Sequence, residues 1–373
     1  MLAMLRKRWF LIGLVLFISL GLTLGLRDPS FGQSLRTGLF RPRVIVMVVL
    51  LLMAFSLDTR QLGQSLRHPA PVLWASVVNS VVVPLLAWGT MRFQTIPDFA
   101  LGVMIAGSVP CTLAAASVWT RKAGGNDAVS LFATLTTNSI CFLVTPFWLN
   151  LATAQGVELD AHEMVMRLLQ AVLLPTIVGQ ALRQVPSLGQ FATVYKTPIG
   201  VVAQCFVLSL VFMASWNAGT YLHENAGGPG WGGVLLVWVT VIMIHLAAML
   251  VAIGGSLLFG FSPRDHAAVA FAGSQKTLPI GVYLATDPKI FGDPNLLGAG
   301  LGVPFAVFPM LMYHASQLFI DTAVADAMAS RRASGTRSEK TSDDRHRESR
   351  NRSAETSSPE AGGKLDESTA GPL

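Results

Sequence analysis

The chain has 373 residues, of which 52% are hydrophobic and only 13% charged, with 34 Gly, 14 Met and a formal charge of +6. Soluble domains carry about 25% charged residues, and here nine Lys/Arg and eight Asp/Glu fall within 331–373, which leaves 18 of the 27 basic and 13 of the 21 acidic residues for the first 330 positions. That is too few to coat a soluble surface and shows no basic face for nucleic acid; three cysteines, Cys111, Cys141 and Cys205, each inside an apolar run, argue against a disulfide framework or a zinc site.

Apolar runs of about 20 residues cross a bilayer as helices, because a helix satisfies its own backbone in lipid. Arg6-Lys7-Arg8 precede the first run, 9–26. This resembles a secretory signal, but the run is long and no small-x-small cleavage site follows Leu26, so it is expected to stay as a first membrane helix behind a cytoplasmic segment 1–8. Runs at 44–57, 70–91, 127–149, 164–182, 197–215, 233–259 and 300–322 follow, and 98–120 and 265–286 are apolar but interrupted. Turns fall at Arg27-Asp28-Pro29, Gly124-Gly125-Asn126, Gly227-Gly228-Pro229-Gly230, Ser262-Pro263-Arg264-Asp265 and Asp293-Pro294-Asn295. The ten-residue alternation of a membrane barrel is absent. The expected fold class is therefore all-α membrane, with about ten transmembrane helices over 9–325. The polar stretch 331–373 lacks the apolar content to offset ordering and is expected as a disordered tail.

Basic residues orient the bundle. With the N-terminus in the cytoplasm, the inner side receives Arg6, Lys7, Arg8, Arg60, Arg67, Arg121, Lys122, Arg183, Lys196 and Arg264. The outer side receives Arg27, Arg36, Arg41, Arg43, Arg92, Arg167 and Lys289, and the outer loops 150–163 and 216–232 are otherwise free of Lys and Arg. An even number of spans places the C-terminus in the cytoplasm as well, with the cell membrane as the location.

The two interrupted segments resemble each other. One runs from Pro97-Asp98 to Ala106-Gly107-Ser108-Val109-Pro110, the other from Asp265-His266 to Ala272-Gly273-Ser274-Gln275-Lys276-Thr277-Leu278-Pro279. Each falls in the fourth helix of a group of five, and an odd number of spans per half inserts the halves, about 9–150 and 163–325, with opposite orientation. Matched, Gly/Pro-interrupted segments in two inverted repeats point to a secondary transporter's binding site. Two unrelated kinked helices are the plainer alternative, since Gly and Pro are common in membrane spans.

Lys276, beside Gln275 and Thr277, lies too deep in its span to snorkel easily. An ammonium there could bind an anionic substrate, stand where a coupling cation would sit, exchange a proton, or simply hydrogen-bond the carbonyls of the break. On the helix after the first break, Ser130, Thr134 and Thr137 share a face that Asn138 adjoins. With Ser117 they offer either a hydroxyl cage for a monovalent cation or ordinary interhelical hydrogen bonds. Asn79, Gln204 and His245, isolated in apolar runs, read as packing or interhelical bonds, and His314 as a satisfied buried histidine or a proton-relay member.

An ordered series of stretches over 5–325 resembles the bile acid:sodium symporter superfamily: Arg6-Lys7-Arg8-Trp9-Phe10, Leu57-Asp58-Thr59-Arg60-Gln61-Leu62, Lys122-Ala123-Gly124-Gly125-Asn126-Asp127-Ala128, Val144-Thr145-Pro146, Pro175-Thr176-Ile177-Val178-Gly179-Gln180, Gln275-Lys276-Thr277-Leu278-Pro279-Ile280-Gly281 and Tyr313-His314. The branch it resembles is the one typified by cotransporter 7-like proteins. The resemblance implies ten helices in two inverted five-helix repeats, with helices 4 and 9 broken and crossing at midplane between a panel-like and a core domain. It matches Ser130 and Thr134 to sodium ligands of the first ion site, where Ala116 and Ser117 replace a Ser-Asn pair. At the second site, sodium-coupled members carry a Glu four residues before a Gln-Asn pair; here Gln275 matches, but Phe271 stands for the Glu and Lys276 for the Asn. That exchange speaks against classical two-sodium coupling and for a variant mechanism, the Lys-containing version being typical of the branch.

The expected function is thus a secondary active transporter, a symporter of a small organic anion, with Na⁺ or H⁺ as coupling ion and no cofactor. Its candidate substrate- or ion-binding residues are Ser108, Pro110, Ser117, Ser130, Thr134, Thr137, Asn138, Gln275, Lys276 and Thr277. A non-transporting regulator signalling through the tail is the alternative from another class. An intramembrane enzyme built on Ser274 and Lys276 lacks the accompanying nucleophile motif, paired aspartates or metal cluster.

Overall fold

The computed structural model describes residues 2–28, 41–58, 69–153, 161–224, 228–287 and 303–356, and among these all regular structure is helical. The helices in chain order are α1 (Leu2–Arg27), α2 (Pro42–Ser56), α3 (Pro69–Met91), α4 (Pro97–Ser108), α5 (Ala115–Lys122), α6 (Asp127–Thr153) and α7 (Ala161–Gln184). They continue with α8 (Pro186–Val194), α9 (Lys196–Glu224), α10 (Trp231–Leu258), α11 (Pro263–Ser274), α12 (Leu278–Thr286) and α13 (Val307–Thr356). Among the described residues, six stretches are long and apolar enough to cross a bilayer: Trp9–Arg27, α3, α6, α7, α9 and α10.

Two groups of helices pack together. In one, α1 lies along α9, and α2 packs against both α7 and α9. Small residues permit the first contact. A Cβ added at Gly25 would lie 2.2 Å from the Trp216 carbonyl oxygen, and one at Gly219 2.3 Å from that of Leu22. The backbones therefore touch, as small-residue membrane interfaces allow. The second group holds α3 to α6 and α10 to α13, with the Ala-rich α11 packed against α10, α3, α6 and α5. The groups meet where α12 touches α2 and α9, and where α6 touches α7. There Arg167 of α7 pairs with Asp287, just past α12, at 3.0 Å.

Helix α3 contains a π-turn at Val78–Val82. Proline supplies the reason: Pro84 has no N–H for the carbonyl four residues earlier, that of Ser80. The indole N–H of Trp148 donates to the Ser80 carbonyl instead, at 2.9 Å.

Several boundaries differ from the expectation. Residues 216–224, expected as loop, extend α9, where Trp216, Gly219 and Thr220 lie against Gly25 of α1. The short helix α8 was not anticipated; it starts on Pro186 and buries only Gly189 and Ala192. Helix α13 runs on past 331, where a disordered tail was expected. The sequence there has no proline until Pro359 and sets Asp343 four residues before Arg347, a helix-compatible spacing. The turn at Asp293-Pro294-Asn295, the charges Arg36, Arg60, Arg67 and Lys289, and the end of the tail, 357–373, lie outside the described residues.

Candidate functional site

Both Ala-Gly-Ser triplets end a helix in the same way. Helix α4 stops at Ser108 with Val109 extended (φ −67°, ψ 155°), and α11 stops at Ser274 with Gln275 extended (φ −74°, ψ 145°). The chain resumes as helix at Ala115 and Leu278 respectively. Both glycines sit where α3 approaches closely: a Cβ at Gly107 would lie 2.3 Å from Ala87 Cβ, and one at Gly273 3.2 Å from Val78. The carbonyls left at each break find new donors, as buried backbone groups must. The Thr145 hydroxyl donates to Ser108 O at 2.9 Å, and the Tyr313 hydroxyl to Ser274 O at 2.8 Å.

The two breaks are bonded to each other. Thr277 N–H donates to Pro110 O at 3.0 Å, and the Thr112 hydroxyl to Gln275 Oε1 at 2.6 Å. Lys276 is wholly buried between them. Its Nζ donates to Asn79 O at 2.6 Å, Val109 O at 2.8 Å and Asn79 Oδ1 at 3.3 Å. Three acceptors for three N–H bonds is the complement of an ammonium, since a neutral amine would aim a lone pair at one of them. Among the described ion pairs, no carboxylate is joined to Lys276.

Asn79, expected to pack or to make interhelical hydrogen bonds, makes such bonds at the centre of the crossing. It lies in the π-turn, a feature common at functional sites. Its amide nitrogen faces the carbonyls of Gln275 (2.8 Å), Ala272 (3.2 Å) and Gly273 (3.3 Å), capping the end of α11. Gln317 holds Lys276 from the other side, accepting from its N–H at 2.9 Å and donating to its carbonyl at 3.0 Å. Gln317 also faces His314 Nδ1 at 2.8 Å, so this nitrogen accepts and His314 is neutral.

Asp321 escaped the sequence reading altogether. It is wholly buried on α13, accepts from Gln275 Nε2 at 2.6 Å and pairs with His245 Nε2 at 2.9 Å. Gln275 thus has a protein partner at each end of its amide, Thr112 at Oε1 and Asp321 at Nε2. The signal was one acidic residue at the end of the last apolar run, next to a charged tail that concealed it.

The hydroxyl group on α6 is also assembled. Thr134 donates to Cys111 Sγ at 3.4 Å, Thr137 to Thr134 O at 3.0 Å, and Asn138 Nδ2 to Cys111 O and Thr134 O, both at 2.8 Å. Ser117 Oγ, Ser130 Oγ and Asn138 Oδ1 are buried without a partner, on α5 and α6, which pack together. Orphaned buried oxygens of this kind suit a hard cation. The Ser274–Lys276 dyad is not formed, because Ser274 donates to Ala270 O at 2.8 Å while Lys276 points to Asn79 and Val109.

Relatives bear on what such a bonded crossing is for. The chain is 23% identical over 338 residues to the sodium/bile acid cotransporter 7-B of Xenopus laevis, covering 87% of this chain and 93% of the relative. Identity to the sodium/bile acid cotransporter 7 of Rattus norvegicus is 23% over 336 residues, with the same coverage. It is 24% identical over 322 residues to the probable chloroplastic sodium/metabolite cotransporter BASS4 of Arabidopsis thaliana, covering 82% of this chain and 70% of the relative. The profile of one transporter family matches residues 8–330, taking in both breaks, Lys276 and Asp321. The chain is a multi-pass membrane protein belonging to the SBF-like CPA transporter family.

Proposed function

We propose that the chain is a secondary active transporter of a small organic anion, working by alternating access, with ten spans arranged as two inverted five-helix repeats and both termini cytoplasmic. The observation that carries this reading is the Lys276 ammonium, wholly buried where two broken helices are hydrogen-bonded together. Burying a charge in a membrane span costs several kcal/mol and is kept where it serves a pathway. Helices α5 and α12 both begin at the breaks, and helix N-termini favour anions, so they add to the pull of the ammonium. The names of the relatives, sodium/bile acid and sodium/metabolite cotransporters, support an organic solute and sodium coupling. Sodium as co-transported ion fits the oxygens of Ser117, Ser130, Thr134 and Asn138, whereas Lys276 fills the second ion position with its own charge.

Uptake of labelled taurocholate into proteoliposomes, with Na⁺ and pH varied independently, tests this. Lys276→Ala is expected to abolish uptake while the protein still inserts and elutes as a single species. Undiminished transport by that variant would remove Lys276 from the site.

A further inference from the structure

His245 of α10 and Asp321 of α13 meet beside the second break. Both side chains are wholly buried. Both imidazole nitrogens face acceptors: Nε2 meets Asp321 Oδ1 at 2.9 Å, and Nδ1 meets the Ser274 carbonyl at 3.3 Å. A carbonyl oxygen can only accept, so both contacts are satisfied only when the pair carries one proton more than neutral histidine plus carboxylate. The second carboxylate oxygen receives Gln275, whose other end is bonded to Thr112 of the first break. The pair is therefore wired through one side chain to both breaks.

We propose that His245 and Asp321 form a binding site for one exchangeable proton, and that this proton is co-transported with the anion. The coupling half of the proposal rests on the transporter reading above. With the proton aboard, His245, Asp321 and Lys276 sum to a net positive charge; without it they sum to zero. The loaded form attracts the anion more strongly than the unloaded one, and a proton taken from water on one side leaves on the other with no other covalent bond made or broken.

Few other titratable groups surround the pair. Its own helix contributes Tyr313, whose ring stands edge-on to His245 at 5.6 Å, the neutral His314, and Asp326, which pairs with Lys122 of α5. The first break contributes Cys111, which is buried. From α11, α12 and the second break come Lys276, Arg264, Asp265 bonded to Ser262 and Asn126, His266 bonded to the Phe261 carbonyl, and Tyr283. Helix α4 carries Asp98, and α5 also carries Arg121, which pairs with Asp127; α10 has no titratable residue except His245, and α3 has none.

Solid-state ¹⁵N spectra of histidine-labelled protein in lipid bilayers test the proton site without any substrate. The signal missing from His245→Gln belongs to His245. It is expected to change from a doubly protonated to a neutral ring as pH rises, and in Asp321→Asn to stay neutral throughout. A His245 signal that holds one protonation state over the whole folded pH range would overturn the proposal. In proteoliposomes with equal Na⁺ on both sides, an inside-alkaline gradient is expected to raise taurocholate uptake at least tenfold, and Asp321→Asn to lose that dependence. Wild-type uptake indifferent to the gradient would overturn the coupling. Proton exchange by ¹⁵N with no uptake under any condition would keep the proton site and remove the transport reading instead.

Discussion

Replacing Asn79 by Ala deletes one carboxamide from the crossing and leaves the backbone carbonyl that Lys276 also uses. Two amide protons are lost from a site whose acceptors are the carbonyls of Gln275, Ala272 and Gly273. Asn79 is 0% exposed, so bulk water cannot step in. A neutral hydrogen bond contributes about 1 kcal/mol net, and a buried acceptor left bare costs about 1–3 kcal/mol. Losing the stronger bond, weakening the others and opening a small void together come to about 3 kcal/mol. For a chain of this size that corresponds to a fall in Tm of about 4 °C. A thiol-reactive dye can follow melting in a Cys205→Ser background, since Cys205 is exposed while Cys111 and Cys141 are buried and free. A double-mutant cycle with Lys276→Met should show coupling above about 0.5 kcal/mol, because the two side chains touch. Melting unchanged by Asn79→Ala, or strict additivity with Lys276→Met, would refute the assignment of Asn79 as the cap of α11.

Other expectations follow from single contacts. Trp148→Phe removes the only indole donor to Ser80 O and should lower stability by about 1–2 kcal/mol in the same melting assay, with no such loss for Trp231→Phe, which is 88% exposed. Gly25→Leu places a side chain against the Trp216 backbone and should prevent α1 from docking on α9, seen as loss of the monodisperse peak in size-exclusion chromatography. Ser130→Ala should leave melting in potassium unchanged and abolish any sodium-dependent rise in Tm; an intact sodium effect would place the ion elsewhere.

Much of the crossing was legible because its signal is local. Gly, Ser and Pro interrupting an apolar run mark a break wherever they fall, and Ala106-Gly107-Ser108 and Ala272-Gly273-Ser274 do so with the same backbone outcome. Lys276 stood out for a similar reason, as a charge with no route to water. Asn79, Gln317 and Asp321 did not stand out. Each sits in an otherwise apolar helix, and its meaning comes mainly from partners far away in sequence, as when Asn79 meets Gln275. Periodicity cannot rank such residues, because one polar side chain has no period. The π-turn was equally silent: Pro84 foretells a freed carbonyl, but the choice between a kink and a widened turn depends on Trp148 arriving from α6.

The amide of Thr277 on the oxygen of Pro110, and the ammonium of Lys276 on that of Val109, make the two breaks mutually dependent. Pulling them apart would take the donors from two buried carbonyl oxygens, at about 1–3 kcal/mol each. The two helix groups meet by other means, with α12 resting on α2 and α9 and Arg167 reaching Asp287, so the bonds of the crossing lie wholly within one of the groups.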